Sequence, residues 1–313
     1  MIENSLLLKN IKWQDALDQI VTLPYALQQE ALKKFRKKFK LKVSEQWNTT
    51  FGKDSLYQAW TFIEPMIQLY NANREVIRDF IKNLKEWTIV EIGGGNGTLW
   101  QNFFSGHSKG EFILIDPVKD SHDTVIKHFP DTVSFTSIIQ PVEQVIIPHA
   151  DVIVCSLMLH HIPGFNTDHN KCLGINSVGK SEIIKRFLQS IRCRNGICII
   201  NESDIYTDID LAPHDPVLIH RLIDSYIKRA GKSVAMKIDD PAVPITVRKK
   251  LELVMIHWLI DQVEIAGQSP LSKRDIYELD TIHWLELFQR VGANIINHGF
   301  TDKWHLFHQY IIK

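Results

Sequence analysis

The run Thr88-Ile89-Val90-Glu91-Ile92-Gly93-Gly94-Gly95-Asn96-Gly97 constrains this chain more than any other stretch. A short apolar segment of strand character closes on an acid and breaks at once into glycines. Glycine permits a tight turn out of a strand and lets a ligand approach the backbone closely. A helix-compatible stretch, residues 98–104, follows. The spacing selects the ligand. A dinucleotide fingerprint needs G-x-G-x-x-G. Here Gly93, Gly95 and Gly97 fall as G-x-G-x-G, and Thr98 stands where the third dinucleotide glycine would be. Glu91, just ahead of the turn, suits a cationic or amino-bearing ligand and poorly suits a pyrophosphate.

From residue 86 onward short apolar runs alternate with helical periodicity, which specifies a parallel sheet with crossover helices. Strands are read at residues 88–92, 112–115, around 133–135, 151–155 and 197–202, with two more at about 294–300 and 306–312. Ser181 is read as the cap of a helix running through Ile191, and Arg194-Asn195-Gly196 as the turn into the fifth strand. Residues 206–270 interrupt this alternation with two amphipathic helices, about 216–229 and 247–265. An insertion there lies over the strand ends, where open α/β sheets bind ligands. Ser272-Lys273-Arg274-Asp275 is a capping-box pattern, opening a helix through Leu285, Leu287 and Phe288 that closes at Gly292.

Residues 1–85 read as a helical cap ahead of this region. Trp13, Ala16, Leu17 and Ile20 fall at helical spacing, as do Phe62, Met66, Ile67 and Tyr70. Between them, residues 33–42 are rich in lysine, with Phe35 and Phe39 on one helical face and a solvated basic face opposite. The chain therefore divides into a cap, 1–85, and an α/β domain, 86–313, with its insertion at about 206–270.

Bulk properties narrow the function. Lys+Arg and Asp+Glu are equal at 36 each, so no global field recruits nucleic acid or a membrane surface. No apolar run approaches the roughly 20 residues a membrane span needs, and the N-terminus has no signal-peptide pattern. Cys155, Cys172, Cys193 and Cys198 form no disulfide framework, which points to reduced thiols and a cytoplasmic setting. The composition is compatible with a homodimer. His160, His161, Asp168, His169 and Cys172 are close in sequence but show no metal-ligand spacing, so no metal is expected.

The E-x-G-x-G-x-G pattern from Glu91 to Gly97 resembles the first motif of class I S-adenosylmethionine-dependent methyltransferases. That cofactor carries an amino acid and a sulfonium and no phosphate. The resemblance implies an α/β, Rossmann-like fold: a mostly parallel sheet of seven strands with an antiparallel last strand, a helical cap and a helical insertion after strand five. It implies S-adenosylmethionine bound by Glu91, Gly93, Gly94, Gly95, Asn96 and Gly97. Asp116, at the end of the second strand beside Pro117, is placed to accept both ribose hydroxyls. In that superfamily an acid after strand three often meets the adenine. Thr136-Ser137-Ile138 stands there, so Ser137 or Ile138 would serve. Cys155 and Ser156 end the fourth strand, Ser156 where a lysine often lies against the cofactor.

A second resemblance concerns the chemistry. Ile147-Pro148-His149-Ala150-Asp151, then a strand and Leu159-His160, is similar to small-molecule O-methyltransferases of the plant type. C-methyltransferase domains of polyketide synthases show a similar pair after strands four and five. The resemblance implies His160 as general base and Glu202 as the carboxylate orienting it, with His161 as the second candidate. Elementary chemistry agrees. An oxygen or activated-carbon nucleophile must lose a proton, and a histidine backed by a carboxylate can take it. An amine acceptor needs less help, so N-methylation of a small amine is the rival enzyme reading. A non-catalytic binding protein of the same fold is the rival class. Arg74 and Arg78, one turn apart, are candidates for holding an anionic acceptor. Among Tyr57, Trp60, Phe62 and Tyr70, one or two are expected to roof the site.

Overall fold

The computed structural model describes residues 16, 19–20, 22–23, 25–38, 56–105, 109–162, 178–204, 207, 221, 224–251, 253–255 and 280–313. Seven strands form one sheet: β1 (Trp87–Ile92), β2 (Gly110–Ile115), β3 (Val133–Ile138), β4 (Val152–Ser156), β5 (Ile197–Ser203), β6 (Ile295–Phe300) and β7 (Phe307–Ile312). Their order is β3-β2-β1-β4-β5-β7-β6. Every pair is parallel except those made by β7, which runs antiparallel to β5 and to β6. This is the Rossmann-like sheet expected from the sequence. The strand order reverses at β1 and β4, and the crevice at their carboxyl ends is where such sheets take ligands.

The helices are α1 (Tyr25–Lys38), α2 (Glu64–Ile81), α3 (Lys119–Val125), α4 (Val178–Arg192), α5 (Lys232–Asp239) and α6 (Thr281–Arg290). The central strands are apolar on both faces because helices cover both. Val90, Ile153, Cys155, Ile200 and Tyr310 point to the face packed by Ile184 and Phe187 of α4 and Trp284 and Leu287 of α6. Ile89, Val152, Val154 and Ile199 point to the opposite face, with Ile77 of α2 and the aromatic group of Trp87, Trp100 and Phe112. A third core joins Leu32 and Phe35 of α1, Met66 and Leu69 of α2, Tyr226, Val234 and Met255 of the insertion, and Leu306 and Phe307 at the head of β7. Cap and insertion therefore pack on each other above the end of β7. Ser233 adds a polar link: its hydroxyl accepts the N–H of Glu64, the first residue of α2, at 3.2 Å. Among the described residues no helix is long and apolar enough to cross a membrane.

Several local expectations are corrected. The stretch 98–104 is not a helix; it makes one 3-10 turn, Thr98–Trp100. Arg74 donates to the carbonyls of Thr98 and Leu99 at 2.7 Å each and of Gln101 at 3.3 Å, which braces this turn from α2. Ser181 lies inside α4, which starts at Val178. The first insertion helix does not stop at residue 229; it passes through a π-helical segment, Ile227–Gly231, into α5. The pattern at 272–275 falls outside the described residues, and α6 is capped by Asp280, whose side chain accepts the N–H of His283. In α1, Phe35 is buried and Lys33, Lys34, Lys37 and Lys38 are exposed, as the basic-face reading requires. Phe39, Trp13 and Leu17 fall outside the described residues.

Candidate active site

The glycine turn is built by three left-handed residues. Gly93, Gly95 and Gly97 have φ of +73°, +54° and +71°, a region in which side chains strain the backbone. Two are also crowded. A Cβ on Gly93 would lie 3.0 Å from Met158 Cγ, and one on Gly97 would lie 2.9 Å from the His128 ring. Asn96 closes the turn, its side-chain oxygen accepting from the Thr98 hydroxyl at 2.7 Å and the Thr98 N–H at 3.2 Å.

Glu91 is buried beneath this turn. Trp100 Nε1 donates to its Oε2 at 2.6 Å, and Gly94 leaves room for the carboxyl. Burial pushes the Glu91 carboxyl up to about 8; the Trp100 bond opposes that rise and Asp116 adds to it. Among the upstream aromatics Tyr70 senses this group: burial and then Glu91 hold its hydroxyl above the usual range. Trp60 packs edge-on to Tyr226 within the cap core, Phe62 is exposed, and the side chain of Tyr57 lies outside the described residues.

Asp116 is buried at the end of β2. Its Oδ1 accepts the Val118 N–H at 2.7 Å, and the Gly95 N–H and Ser121 hydroxyl also bond it. The carboxyl therefore stands at the glycine turn itself. Burial raises its pKa, partly offset by these donors. Pro117 is exposed beside it. His122 fixes this edge: Nε2 meets the Asp116 carbonyl at 2.8 Å, and Nδ1 meets the Ser137 hydroxyl at 2.6 Å. Ser137 is thus tied to His122 while its residue remains exposed, and the Ile138 carbonyl takes the Asp116 N–H.

Cys155 faces the α4 and α6 layer, fully buried, with its thiol pKa raised by burial and then by Glu202. Ser156 turns to the other face. Its hydroxyl accepts from Asn73 at 3.2 Å and Asn201 at 2.9 Å, and Gln309 donates to Asn73 at 2.7 Å. This neutral chain ties α2, β4, β5 and β7 together where a lysine was the pattern of the resemblance.

The turn after β4 begins with Leu157 at φ +55°, bonded through its N–H to the Asn201 carbonyl. A branched residue in that region marks local strain. It leads into the 3-10 turn Leu159–His161. There the expected pair is assembled. His160 Nδ1 lies 2.6 Å from Glu202 Oε2, and the Leu159 N–H donates to Glu202 Oε1 at 2.7 Å. The side chains are 14% and 2% exposed. With Glu202 as acceptor, Nδ1 carries the proton and Nε2 is the basic nitrogen, turned away from the carboxylate. The His161 ring packs against that of His160, centroids 4.1 Å apart.

Arg74 donates to the carbonyls of Thr98, Leu99 and Gln101, and Arg78 lies over the Phe103 ring at 4.9 Å. Asp168, His169 and Cys172 fall outside the described residues. Sequence reasoning missed Trp100, Asn73, Asn201 and His122. One signal existed for Trp100: an acid in a strand buried on both faces requires a donor, and an indole follows nine residues on.

Two buried carboxyls stand at the turn. No helix starts at Gly97, so the N-terminal dipole that seats phosphates is missing among residues 98–105.

No family model matches the chain, and no curated protein matches it. Solved structures that align with it include a magnesium protoporphyrin IX methyltransferase from Synechocystis PCC 6803 with bound SAM, at 9% identity over 87% of this chain and 99% of that one, TM-score 0.46. Human N-acetylserotonin methyltransferase in complex with SAM aligns at 14% identity over 89% and 61%, TM-score 0.43. A small RNA methyltransferase aligns at 11% over 80% and 26%, TM-score 0.46. At such low identity and overlap they decide nothing about this chain, whose fold stands on its own strand order and whose site stands on its own geometry.

Proposed function

We propose that this chain is an S-adenosylmethionine-dependent methyltransferase acting on an oxygen or acidic carbon of a small molecule. His160 is the general base and Glu202 orients it. The supporting observation is the 2.6 Å bond between them, two residues from Met158, whose side chain packs on Gly93 of the cofactor turn.

The glycine turn receives the amino-acid end of the cofactor, Asp116 accepts the ribose hydroxyls, and Ser137 and Ile138 lie toward the base. When bound, the cofactor supplies an electrophilic methyl group on a sulfonium. Everything else falls to the chain. His160 Nε2 takes the acceptor's proton, and Glu202 stabilises the imidazolium that results. Leu159 N–H fixes the second Glu202 oxygen, so the carboxylate cannot rotate away. The shared core of cap and insertion roofs the acceptor side and supplies positioning, the main source of rate in a transfer of this kind.

The test is transfer of labelled methyl from S-adenosylmethionine to a panel of small hydroxyl, acidic-carbon and amine acceptors. Labelling of hydroxyl or carbon acceptors is expected, with turnover in His160→Gln reduced by about 100-fold or more. Wild-type turnover in His160→Gln would remove the base and favour an amine acceptor. No labelling of any acceptor, with no binding of the cofactor, would favour a non-catalytic protein.

A further inference from the structure

Helix α4 buries one stripe of its surface. Ile183, Ile184, Phe187, Leu188 and Ile191 of that stripe lie in the core between the helix and the sheet. Neighbours on a helix face stand three and four residues apart, so the stripe continues from Ile183, Ile184 and Phe187 back to residue 180. That residue is a lysine, and it is 0% exposed. Lys180 is also in the first turn of α4, where the helix dipole disfavours a cation. Burial and dipole both act against a lysine here unless its amine is hydrogen-bonded. A leucine would fill the stripe without either cost, so what the lysine adds is a donor.

That donor reaches the turn that carries His160. Lys180 Nζ donates to the Ile162 carbonyl at 3.3 Å. Ile162 closes the turn Leu159–His161, its N–H donating to the Leu159 carbonyl at 3.0 Å. The Leu159 N–H donates in turn to Glu202 Oε1, and Glu202 Oε2 holds His160 Nδ1. An unbroken line of hydrogen bonds therefore joins Lys180 to His160. Either form of the amine carries the N–H that the first of these bonds needs, so the geometry stands whatever the charge on Lys180.

The turn is thus tied at its exit to α4 through Lys180 and at its entry to β5 through Glu202. Leu159 and Ile162 are buried in the same core as the α4 stripe. The residues leading in are strained: Leu157 stands in the left-handed region, a conformation that persists only where the surroundings over-determine it. A turn entered through strain and ended without a brace would let the His160 ring swing off Glu202.

We propose that Lys180 is a positioning residue for His160. By holding the Ile162 carbonyl it fixes the turn, so that His160 keeps Nδ1 on Glu202 and presents Nε2 to the acceptor. This rests on the reading of His160 and Glu202 as base and orienting carboxylate.

The test is proton NMR of the full-length chain, which needs no acceptor, comparing wild type with Lys180→Met. Methionine keeps the apolar stem and removes the donor. Wild type should show a far-downfield Nδ1–H resonance, as a short charge-assisted bond gives, and His160→Gln should delete it. In Lys180→Met that proton should move upfield and exchange with water faster by about tenfold or more, while calorimetric affinity for S-adenosylhomocysteine stays unchanged. Lys180→Leu serves as the second variant should methionine prevent folding. A purely structural lysine predicts a shifted melting temperature with the His160 proton unmoved, and that result in a folded variant would overturn the inference while leaving the His160–Glu202 pair intact. A wild-type protein with no downfield His160 proton would overturn that pair and this inference together.

Discussion

Trp100 donates its indole N–H to the buried carboxyl of Glu91 across 2.6 Å, directly beneath the glycine turn. Against the pull of that bond, burial sets the carboxyl to titrate near neutral pH. Burial raises Glu91 from 4.5 to about 8, so at pH 7 the folded protein holds a proton there that the unfolded chain has lost. The sign follows from linkage. This group favours folding fully below pH 4.5, and its contribution is lost as pH rises through 8. A cation bound at the turn favours the carboxylate, so binding expels the proton. Affinity for S-adenosylmethionine should therefore rise with pH up to about 8, by at most about tenfold per unit. Titration calorimetry at pH 7 in two buffers of different ionisation heat should show release of a fraction of a proton to about one. Glu91→Gln should release none. Identical heats in both buffers for the wild type would defeat the assignment.

The same bond predicts a stability effect. Trp100→Phe keeps most of the aromatic contact with Phe103, Phe104 and Phe112 but strips Glu91 of its donor. An unsatisfied buried polar group costs about 1–3 kcal/mol. Urea unfolding should show a loss of that size with an unchanged slope. An unchanged midpoint would mean that water replaces the indole.

Gly97→Ala meets two obstacles at once: φ of +71° and a Cβ 3.1 Å from the Val125 backbone. The strain is worth about 1–3 kcal/mol. Because Gly97 closes the turn, cofactor affinity should fall with stability. Thermal melts with and without S-adenosylhomocysteine measure both. A variant that melts and binds like wild type would show that the turn relaxes freely.

Arg74 holds the turn from the far side. Arg74→Met keeps the aliphatic stem and removes the donors to three carbonyls. Each hydrogen bond from a charged donor contributes about 1.5–3 kcal/mol, so the Thr98–Trp100 turn should loosen and tryptophan fluorescence should shift to the red. Unchanged spectra would contradict the role given to Arg74.

What was legible in the sequence was whatever rests on short-range pattern. The apolar runs located the central strands β1, β2, β4 and β5, because parallel strands buried on both faces cannot be built from polar residues. Glu202 and His160 were readable because each directly follows or closes such a run. The single turn after Gly97 was not readable, since Arg74, which holds its carbonyls, lies more than 20 residues upstream in another helix. Asn73 and Asn201 look like ordinary polar residues until the sheet brings them to Ser156. The π-helical segment at Ile227–Gly231 leaves the residue types unchanged and has no periodicity of its own. Long-range polar pairing, rather than hydrophobic pattern, is what the sequence concealed.

Calorimetric titration of S-adenosylhomocysteine into the folded chain, beside Asp116→Ala, bears most directly on the site. One saturable binding event is expected, weakened by about tenfold or more without the carboxylate proposed to accept the ribose hydroxyls. A folded wild-type protein that gives no heat with it or with S-adenosylmethionine would contradict the reading of the turn between Ile92 and Thr98.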